Sequence, residues 1–276
     1  MEYIKAMAKN IEKEHIYCAS GGYIEMEHKR YKTSEIASII GVHVNTIRFY
    51  EEIDFITKPE RQGNGYRIYT QLQLEQCRLV RRAMKAEVLQ NGLRKKVVEI
   101  VSLCAALEFE GAYAVCEEYC RMIERELERA KAAILAVDNI LHQKMPAETE
   151  TMKRREAAAM LNITTETLRT WERSGLLSVK RSENGYRIYD AADMQRLNII
   201  RTLRCANYSL SSILRLLNDL DRNKPCSIEA VLNTPRKDED IISVCDQLIV
   251  SLQSTLDDAK AMMPMIEKIR ACSALQ

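Results

Sequence analysis

The apolar residues of this chain follow first a helical and then an extended spacing, and this pattern occurs twice. In the first copy, apolar residues at helical spacing lie between Thr33, a plausible N-cap, and Gly41, which ends the helix. A second helix is predicted over residues 44–52, and Pro59 with the Gln-Gly-Asn-Gly run after it predicts a turn. Residues 66–69 alternate as a short strand does. This order predicts a helix-turn-helix followed by a hairpin wing.

An identical hexapeptide marks the second copy. Asn-Gly-Tyr-Arg-Ile-Tyr occupies residues 64–69 and again residues 184–189. Upstream of these stand Thr-Ile-Arg-Phe-Tyr-Glu at residues 46–51 and Thr-Leu-Arg-Thr-Trp-Glu at residues 167–172. A repeat over a whole segment indicates two copies of one folded unit. We therefore expect a second winged helix-turn-helix over about residues 152–189.

Further helices are predicted behind each copy. Two follow the first wing, at about residues 71–85 and 90–103, and two follow the second, at about residues 191–205 and 209–220. Each half then carries a long helix with apolar residues at heptad spacing, and such seams pair helices as coiled coils. The first seam consists of Ile123, Leu127, Ala130, Ile134, Val137 and Leu141. The second seam consists of Ile242, Cys245, Ile249, Leu252, Leu256, Ala259, Met263 and Ile266.

The predicted fold class is mainly α, with the two long helices pairing as an antiparallel coiled coil. Pro264 should kink or end the second of these helices. Residues 142–151 are polar, contain Pro146 and are expected to form a linker. The predicted segments are an N-terminal extension (1–28), a first winged-helix unit (29–103), a connector with the first coiled-coil helix (104–145), a second winged-helix unit (152–220), and a loop with the second coiled-coil helix (221–276).

The first 28 residues match nothing in the second half of the chain. Gly21 and Gly22 stand a short distance before Met26, and two glycine codons can encode a ribosome-binding sequence. Two interpretations stay open: Met26 is the natural start of the protein, or the preceding residues form a flexible tail.

Composition favours a globular protein without a membrane span. The chain is 46% hydrophobic and 29% charged. No apolar run approaches the ~20 residues that cross a bilayer, and the N-terminus lacks a basic segment followed by an apolar core. We expect a cytoplasmic protein, in which the nine cysteines are reduced thiols.

The small net charge of +2 conceals a strong asymmetry along the chain. Residues 29–96 contain 14 Lys and Arg against 7 Asp and Glu, and residues 152–215 contain 12 against 6. The segments that follow are acidic, with 5 against 9 in residues 97–146 and 7 against 10 in residues 216–276. Positive charge is thus concentrated on the two repeat units, as a polyanionic partner requires.

The paired motifs and wings resemble the mercury-resistance regulator (MerR) family of bacterial transcriptional regulators. The resemblance covers nearly everything after about Lys29 and implies two such subunits fused head to tail. In that family, one winged helix-turn-helix precedes a long helix that forms an antiparallel coiled coil with a second subunit. The resemblance further implies binding to a two-half-site promoter sequence and distortion of that DNA, through which RNA polymerase is affected indirectly. Double-stranded DNA is therefore the expected partner.

The candidate DNA-binding residues come from both copies. A recognition helix enters the major groove with its first residues toward the base edges, and a wing contacts phosphate and sugar. Asn suits adenine, Glu suits the cytosine amino group, and Arg suits guanine or phosphate. The inward residues of these helices, Ile47 and Tyr50 with Leu168 and Trp171, are expected in the core. The candidate contacts are Val44, Asn45, Arg48, Phe49, Tyr66, Arg67 and Tyr69 in the first copy and Thr165, Glu166, Arg169, Thr170, Tyr186, Arg187 and Tyr189 in the second.

His43 departs from the resemblance, because family members usually place a small N-cap such as Ser or Thr at that position. Thr164 supplies such a cap in the second copy. Histidine is a weaker cap. Two expectations follow: the first recognition helix is less firmly started, or His43 itself touches DNA.

An effector is not identified by the sequence. Cys116 and Cys120 lie four residues apart, and with Cys104 and Cys245 they form a candidate thiolate set for a soft metal or for redox sensing. However, cysteine in a heptad seam also serves as a small apolar residue, and a small-molecule effector stays open too. We find no P-loop, no Gly-x-Gly-x-x-Gly after a strand and no His-Glu-x-x-His, and we therefore expect no enzyme and no cofactor.

The two copies carry different residues at their recognition positions, whereas the two subunits of a homodimer are identical there. We therefore expect a single chain that acts as its own pseudo-dimer, on an operator with unlike half-sites. The ten-residue linker spans at most ~35 Å, which is sufficient for this pairing. Three alternatives stay open: a dimer with four DNA-binding units, an architectural protein that organises chromosomal DNA, and an adaptor in which one unit no longer binds DNA.

Overall fold

The computed structural model describes residues 13–17, 23–27, 29–85, 92–143, 151–222, 227–234 and 247–275. Within these ranges the chain forms eleven α-helices and three small two-stranded sheets, which confirms the mainly α class. None of the helices in the described ranges has both the length and the apolar character needed to cross a membrane. The first sheet pairs β1 (Lys13–Tyr17) with β2 (Tyr23–Glu27) in antiparallel register.

The remaining elements of the first half follow the predicted order. A helix-turn-helix and its hairpin are followed by two helices and then by one long helix of 34 residues. Their bounds are α1 (Thr33–Ile40), α2 (Val44–Glu52), β3 (Glu60–Arg61), β4 (Arg67–Ile68), α3 (Gln71–Ala83), α4 (Leu93–Ala105) and α5 (Phe109–His142).

The second half repeats this order after the predicted linker, of which residues 144–150 lie outside the described residues. Its last helix has 26 residues. The bounds are β5 (Met152–Lys153), α6 (Arg154–Met160), α7 (Thr165–Arg173), β6 (Ile188–Tyr189), α8 (Ala191–Cys205), α9 (Leu210–Asp221), α10 (Ile228–Asn233) and α11 (Leu248–Ser273).

Both copies build the wing in the same way. In the first copy Arg61 pairs with Arg67 across the wing, and Tyr31 forms a bridge with Tyr69. The second copy contains the corresponding pairs, Arg181 with Arg187 and β5 with β6. The segment before each first helix is therefore hydrogen-bonded to the end of the wing, so that the wing is fixed against the helix-turn-helix.

The first helix begins one residue earlier than an N-cap at Thr33 would place it. Lys32, not Thr33, occupies the N-cap position, and the Glu35 carboxylate accepts the backbone N–H of Lys32 at 2.7 Å. Lys153 and Glu156 repeat this arrangement in the second copy, also at 2.7 Å. A carboxylate three residues into a helix satisfies one of its otherwise unpaired N–H groups, and this contact sets the start of both helices.

The chain divides into two compact units. Unit 1 comprises residues 1–122 together with residues 255–276, and unit 2 comprises residues 123–254. The boundaries fall inside α5 and inside α11. Each unit therefore contains one winged helix-turn-helix together with a segment of the long helix from the other half of the chain.

In unit 1, the last part of α11 packs on the first winged-helix segment and on the start of α5. Asp258 forms an ion pair with Arg82 at 3.0 Å, and Lys268 forms one with Glu75 at 3.0 Å.

The direction of packing in unit 1 follows from two further contacts. Arg270 is ion-paired with Glu110 at 2.8 Å, while the Cys116 thiol donates to the Ala259 carbonyl at 3.5 Å. Because later residues of α5 meet earlier residues of α11, the two helix segments run in opposite directions within this unit. Pairing as a coiled coil along their whole length stays a prediction.

In unit 2, the later part of α5 packs on α8 and on the segment between α8 and α9. Gln195 donates to the Ile140 carbonyl at 2.7 Å, and Asn207 donates to Glu126 at 3.2 Å. Tyr208, which is fully buried, donates its hydroxyl to the Ala130 carbonyl at 3.3 Å. The Asn233 side chain accepts the backbone N–H of Ile249 near the start of α11 at 3.0 Å.

The seams of the long helices depart in part from the predicted registers. Of the first seam, Ile123, Leu127, Ala130 and Val137 are buried, whereas Ile134 and Leu141 are half-buried.

The second seam is shifted at two of its described positions. Leu248 and Met262 are buried in place of the predicted Ile249 and Met263, whereas Leu252, Leu256, Ala259 and Ile266 are buried as predicted. The predicted seam residues Ile242 and Cys245 lie outside the described residues.

Pro264 does not end the second long helix, which continues to Ser273. Ile266, Ile269 and Cys272, which lie two, five and eight residues beyond the proline, are all buried in unit 1. Burial of an apolar side chain contributes about 1.5–3 kcal/mol, so that three such residues offset the roughly 3 kcal/mol that an interior proline costs.

Replacing Tyr208 tests the packing of α5 in unit 2. Tyr208→Phe loses one buried hydrogen bond and should lower the free energy of unfolding by about 1 kcal/mol. Tyr208→Ala also opens a cavity and should cost about 3–5 kcal/mol. Urea unfolding followed by circular dichroism measures both. Leu135→Ala, at a side chain that is 67% exposed, is the matched control on α5 and should change stability by less than about 0.5 kcal/mol. Equal effects at positions 208 and 135 would contradict this packing.

Candidate nucleic-acid interface

The recognition helices are α2 and α7, and each buries one face. Ile47 and Tyr50 are buried under α2, and Leu168 and Trp171 are buried under α7, as expected from the sequence. The predicted contact residues of both helices lie on the opposite face. Asn45, Arg48, Thr165, Glu166, Arg169 and Thr170 are exposed together with Phe49, whereas Val44 is half-buried.

The two recognition helices start differently. His43 occupies the N-cap of α2, where its Nδ1 accepts the backbone N–H of Asn45 at 3.2 Å. Thr164 caps α7 through its hydroxyl, which accepts the backbone N–H of Thr167 at 3.0 Å. His43 thus does form a cap, with a longer hydrogen bond than that of Thr164, and contact between its exposed ring and DNA stays a prediction.

The first recognition helix presents an amide, a guanidinium and an aromatic ring. Arg48 Nη1 donates to Asn45 Oδ1 at 3.5 Å, the long limit for a hydrogen bond. The Phe49 side chain is 52% exposed.

The second recognition helix presents an ion-paired carboxylate. Glu166 accepts from Arg169 at 3.1 Å and also from Arg173. The hydrogen bond from Arg169, together with the positive charge of Arg173, lowers the pKa of Glu166. Arg173 is not among the predicted contacts, although its position seven residues after Glu166 places both on one helix face.

Each wing is closed by a tight turn at its tip. Gly65 and Gly185 have φ of +81° and +76°, a region that favours glycine. The tyrosines that follow, Tyr66 and Tyr186, are 72% and 71% exposed at the wing tips, and their contact with DNA stays a prediction.

Tyr69 and Tyr189 require a correction. Both were predicted to contact DNA, but both side chains are fully buried beneath the wing. Burial raises the pKa of Tyr189 to about 12. Each stands at the end of its wing, where the backbone pairs with the segment before the first helix. Their rings belong to the core and leave the candidate contact set.

The wing arginines are tied to the recognition helices. Arg67 Nε donates to the Glu51 carboxylate at 2.5 Å, and Arg187 Nε donates to the Glu172 carboxylate at 2.7 Å. The hydrogen bond to Glu51 also raises the pKa of Arg67. Both arginines therefore hold the wing against the recognition helix, a role that was missed from the sequence. Their predicted contact with phosphate stays a prediction.

Glu172 collects more donors than its counterpart in the first copy. Arg154 Nη2 donates to it at 3.0 Å and the Tyr189 hydroxyl donates as well, in addition to Arg187. The Glu172 side chain is only 7% exposed, against 13% for Glu51. The glutamate at the end of each repeated motif is the sequence signal that could have identified this network.

A cleft of about 690 Å³ lies in unit 1 between the wing, the start of α1 and the start of α2. Four of its lining side chains are basic and one is acidic; the basic ones are Arg30, Lys32, Arg48 and Arg67. A concave surface with this charge, beside a recognition helix and a wing, is suited to the sugar-phosphate backbone of a nucleic acid.

Comparison with known proteins agrees with this geometry. A model of the MerR HTH family regulatory protein matches residues 152–220, and a model of the MerR family regulatory protein matches residues 32–69. A probable heavy metal-dependent transcriptional regulator of Haemophilus influenzae is 34% identical over 99 residues, which cover 36% of this chain and 74% of that relative. The chain belongs to the MerR family of transcriptional regulators.

Other MerR-family relatives are similar over one half of the chain or less. The transcriptional regulator CueR of Escherichia coli O157:H7 is 29% identical over 125 residues, covering 42% of this chain and 93% of CueR. The transcriptional regulator ZntR of Escherichia coli K12 is 39% identical over 64 residues, covering 23% of this chain and 45% of ZntR. No solved structure matches the chain.

The cysteines that were predicted as candidate ligands in this MerR-family chain are buried where they are described. Cys104, Cys116 and Cys120 lie in unit 1, while Cys245 falls outside the described residues. Burial raises the pKa of Cys104 to about 12, and a hydrogen bond with Cys120 together with burial raises that of Cys116. In the part of the chain that is described, no group of three His, Cys, Asp or Glu side chains is placed to hold a metal ion. Thiol-based sensing stays a prediction.

Removing the buried carboxylate should separate the wing from the second recognition helix. Glu172→Ala leaves Arg154 and Arg187 without their anion and should cost ~3 kcal/mol of stability. Glu51→Ala, at a site with fewer donors, should cost about 1–2 kcal/mol. Thermal or urea unfolding provides the measurement. Glu183→Ala on the exposed wing tip is the control and should change stability by less than about 0.5 kcal/mol; equal losses at positions 172 and 183 would refute the network.

Cysteine reactivity should separate the buried from the exposed thiols. Cys205 is exposed, whereas Cys77, Cys104 and Cys272 are buried with pKa values raised to about 12 by that burial. In a brief iodoacetamide pulse at pH 8, Cys205 should be alkylated and the other three should stay unmodified, because the thiolate is the nucleophile. Peptide mass spectrometry locates the label, and the same pulse in urea should modify all four. Rapid native labelling of Cys104 would show that its site is open.

Proposed function

We propose that this chain is a sequence-specific DNA-binding transcriptional regulator that binds one two-half-site operator as a single chain. The observation that carries the proposal is the composition of the two compact units. Each unit joins one winged helix-turn-helix to a long-helix segment from the other half. In a regulator with two identical subunits, such a segment would come from the partner. Here one chain contains both segments and therefore needs no second copy.

The contacts that support this assembly are specific. In unit 1, Lys268 and Asp258 of α11 pair with Glu75 and Arg82 of α3. In unit 2, Ala130 of α5 accepts the hydroxyl of a buried tyrosine from the segment between α8 and α9. Ion pairs and a buried hydrogen bond hold the segments in defined registers, because a shifted register would leave these groups without partners.

The recognition helices supply sequence preference and the wings supply affinity. Each helix enters a major groove with its first turn toward the base edges, where Asn45 and Arg48 on one side and Glu166 and Arg169 on the other meet donor and acceptor groups. The exposed wing tips and the basic cleft of unit 1 contact the phosphate backbone. Contacts of this second kind fix the position of the protein without selecting sequence.

The regulatory action proposed here works through the shape of the DNA. Two binding units held in one chain impose a fixed spacing on their half-sites. If that spacing differs from relaxed B-form DNA, binding bends or untwists the promoter between them, at a deformation cost that the contacts offset. RNA polymerase then responds to the altered promoter geometry. An effector and its binding site are not part of this proposal.

Selection of bound duplexes from a random pool tests the proposal. The full chain, at near-physiological salt, should enrich a single motif with two unlike half-sites. Near-physiological salt matters because phosphate contacts alone give an affinity that falls steeply with ionic strength. Sedimentation equilibrium should report the mass of one chain, 31.8 kDa, and one chain per selected duplex.

Other results would point to the alternatives. Loose enrichment of AT-rich DNA without a motif would contradict a specific regulator and favour an architectural protein. A motif with identical half-sites and two chains per duplex would contradict the single-chain assembly. Enrichment of one half-site alone would favour an adaptor in which the other unit does not bind DNA.

A further inference from the structure

The two recognition helices carry different charges at matched positions. The triad of unit 2 is Glu166, Arg169 and Arg173. Alignment of the repeated motifs matches it to a triad in unit 1, which consists of Asn45, Arg48 and Glu52. The middle arginine is shared, while the acidic residue lies at the first position in unit 2 and at the third in unit 1. The two triads therefore have similar compositions, but only the triad of unit 2 presents a carboxylate at the start of its helix.

The unit 2 triad is a closed ion-paired group on an exposed face. Glu166 is bonded to Arg169 at 3.1 Å and to Arg173, and all three side chains are at least half exposed. Ion pairs in solvent contribute little net stability, so that opening them costs little. The closed triad therefore contributes little to the stability of the recognition helix. Its exposed side chains can open and contact DNA at little cost.

A carboxylate at this position discriminates between bases. Among the groups in the major groove, the cytosine amino group is a donor that a glutamate can accept from, whereas N7, O6 and O4 are acceptors that repel it. Adenine also presents a donor, but Asn or Gln matches its donor-acceptor pair better. When Glu166 binds a cytosine amino group and keeps its ion pair with Arg173, Arg169 becomes free to bind the guanine of a neighbouring pair or a phosphate.

The unit 1 triad offers different chemistry at the same place. Asn45 presents an amide, the side chain that pairs with the N6 and N7 groups of adenine. Phe49 is 52% exposed, and an apolar side chain on a recognition helix can contact the methyl group of thymine. Its counterpart in unit 2 is Thr170, which is smaller and polar. Both features of unit 1 favour A·T pairs.

We propose that Glu166 determines the specificity of unit 2 by demanding a cytosine, with Arg173 positioning its carboxylate, while unit 1 selects A·T pairs through Asn45 and Phe49. The inference rests on the proposed DNA-binding function and extends it. It assigns base preferences to the two half-sites. It also explains why a negative charge stands on a surface that otherwise attracts a polyanion: the carboxylate excludes wrong sequences instead of adding affinity.

The first test replaces Glu166 by Gln in the full chain. Glutamine keeps the length and shape of the side chain but can both donate and accept, so that the exclusion of acceptor bases is lost. In selection from a random pool, the cytosine preference in one half-site should fall roughly tenfold. Binding to random-sequence DNA should become tighter and more dependent on salt, because two arginines are freed for phosphate. The other half-site should be unchanged.

A matched control removes a similar charge from the same unit. Glu183 is exposed near the wing tip of unit 2 and is remote in sequence from the recognition helix. Glu183→Gln should strengthen binding to random-sequence DNA slightly through the lost repulsion and leave the base preference as in the wild type. If the two variants behave alike, the effect of Glu166 is one of net charge and the proposal is overturned.

The second test transplants the triad into unit 1. The double variant N45E/E52R places Glu, Arg and Arg at the three positions and should move a cytosine preference into the half-site that unit 1 binds, with loss of the adenine preference. Glu52→Arg alone adds positive charge without the carboxylate and should raise affinity for all sequences, with no new base preference. A double variant that still selects adenine would contradict the assignment.

The outcomes separate this inference from the proposed function. If the wild-type chain enriches no motif, the proposed function fails before the variants are compared. If the wild-type chain enriches two half-sites but Glu166→Gln relaxes a cytosine preference in neither of them, the proposed regulator stands and the role of Glu166 is refuted. Circular dichroism of each variant confirms that the helices are retained, so that a loss of folding is not mistaken for a loss of specificity.

Discussion

The structure of each DNA-binding unit depends on one ion pair, between the glutamate that ends the repeated motif and the arginine of the wing. Glu51 holds Arg67 and Glu172 holds Arg187, at 2.5 and 2.7 Å. These contacts cross from the recognition helix to the wing, which are joined otherwise by a long turn. Together with the bridge from the wing to the segment before the first helix, this pair fixes the wing against the recognition helix.

The ion pair between this glutamate and the wing arginine is held more strongly in the second half of the chain than in the first. Glu172 also receives Arg154 and the buried Tyr189 hydroxyl, whereas the position of Arg154 is occupied by Thr33 in the first copy. A buried carboxylate with several charged donors is more strongly held than a less buried one with fewer. We therefore infer that the wing of unit 2 is the more rigid of the two.

Local features of the chain were predictable, and features that depend on packing were not. The bounds of α2 and α8 agree with the predicted residues 44–52 and 191–205, because the residue pattern that predicts a helix lies within the helix itself. The buried register of α11 was wrong at Ile249 and Met263, since periodicity does not reveal which face meets the winged-helix segment.

The candidate site also contains features that depend on packing and could not be predicted from local sequence. Burial of Tyr69 and Tyr189 follows from the bridge that each wing makes to the segment before its first helix, a contact between residues about 40 apart in sequence. Alternation along the wing predicts that neighbouring side chains point to opposite sides, but not which side is the core. The pairing of Arg173 with Glu166 was visible in the spacing, because both lie on one helix, whereas that of Arg187 with Glu172 needed the fold.

When two DNA-binding units are joined in one chain, natural selection can change the residues of one unit without changing those of the other. In a symmetric dimer every substitution appears in both half-sites, so that a residue which excludes wrong bases in one half-site excludes the same bases in the other. In the single-chain assembly proposed above, Asn45 and Glu166 differ at matched positions, and that assembly would not depend on protein concentration as that of a dimer does. Discrimination can then be divided between the halves. One unit can supply apolar contact through Phe49, while the other accepts the repulsion of a carboxylate in exchange for a narrower choice of sequence.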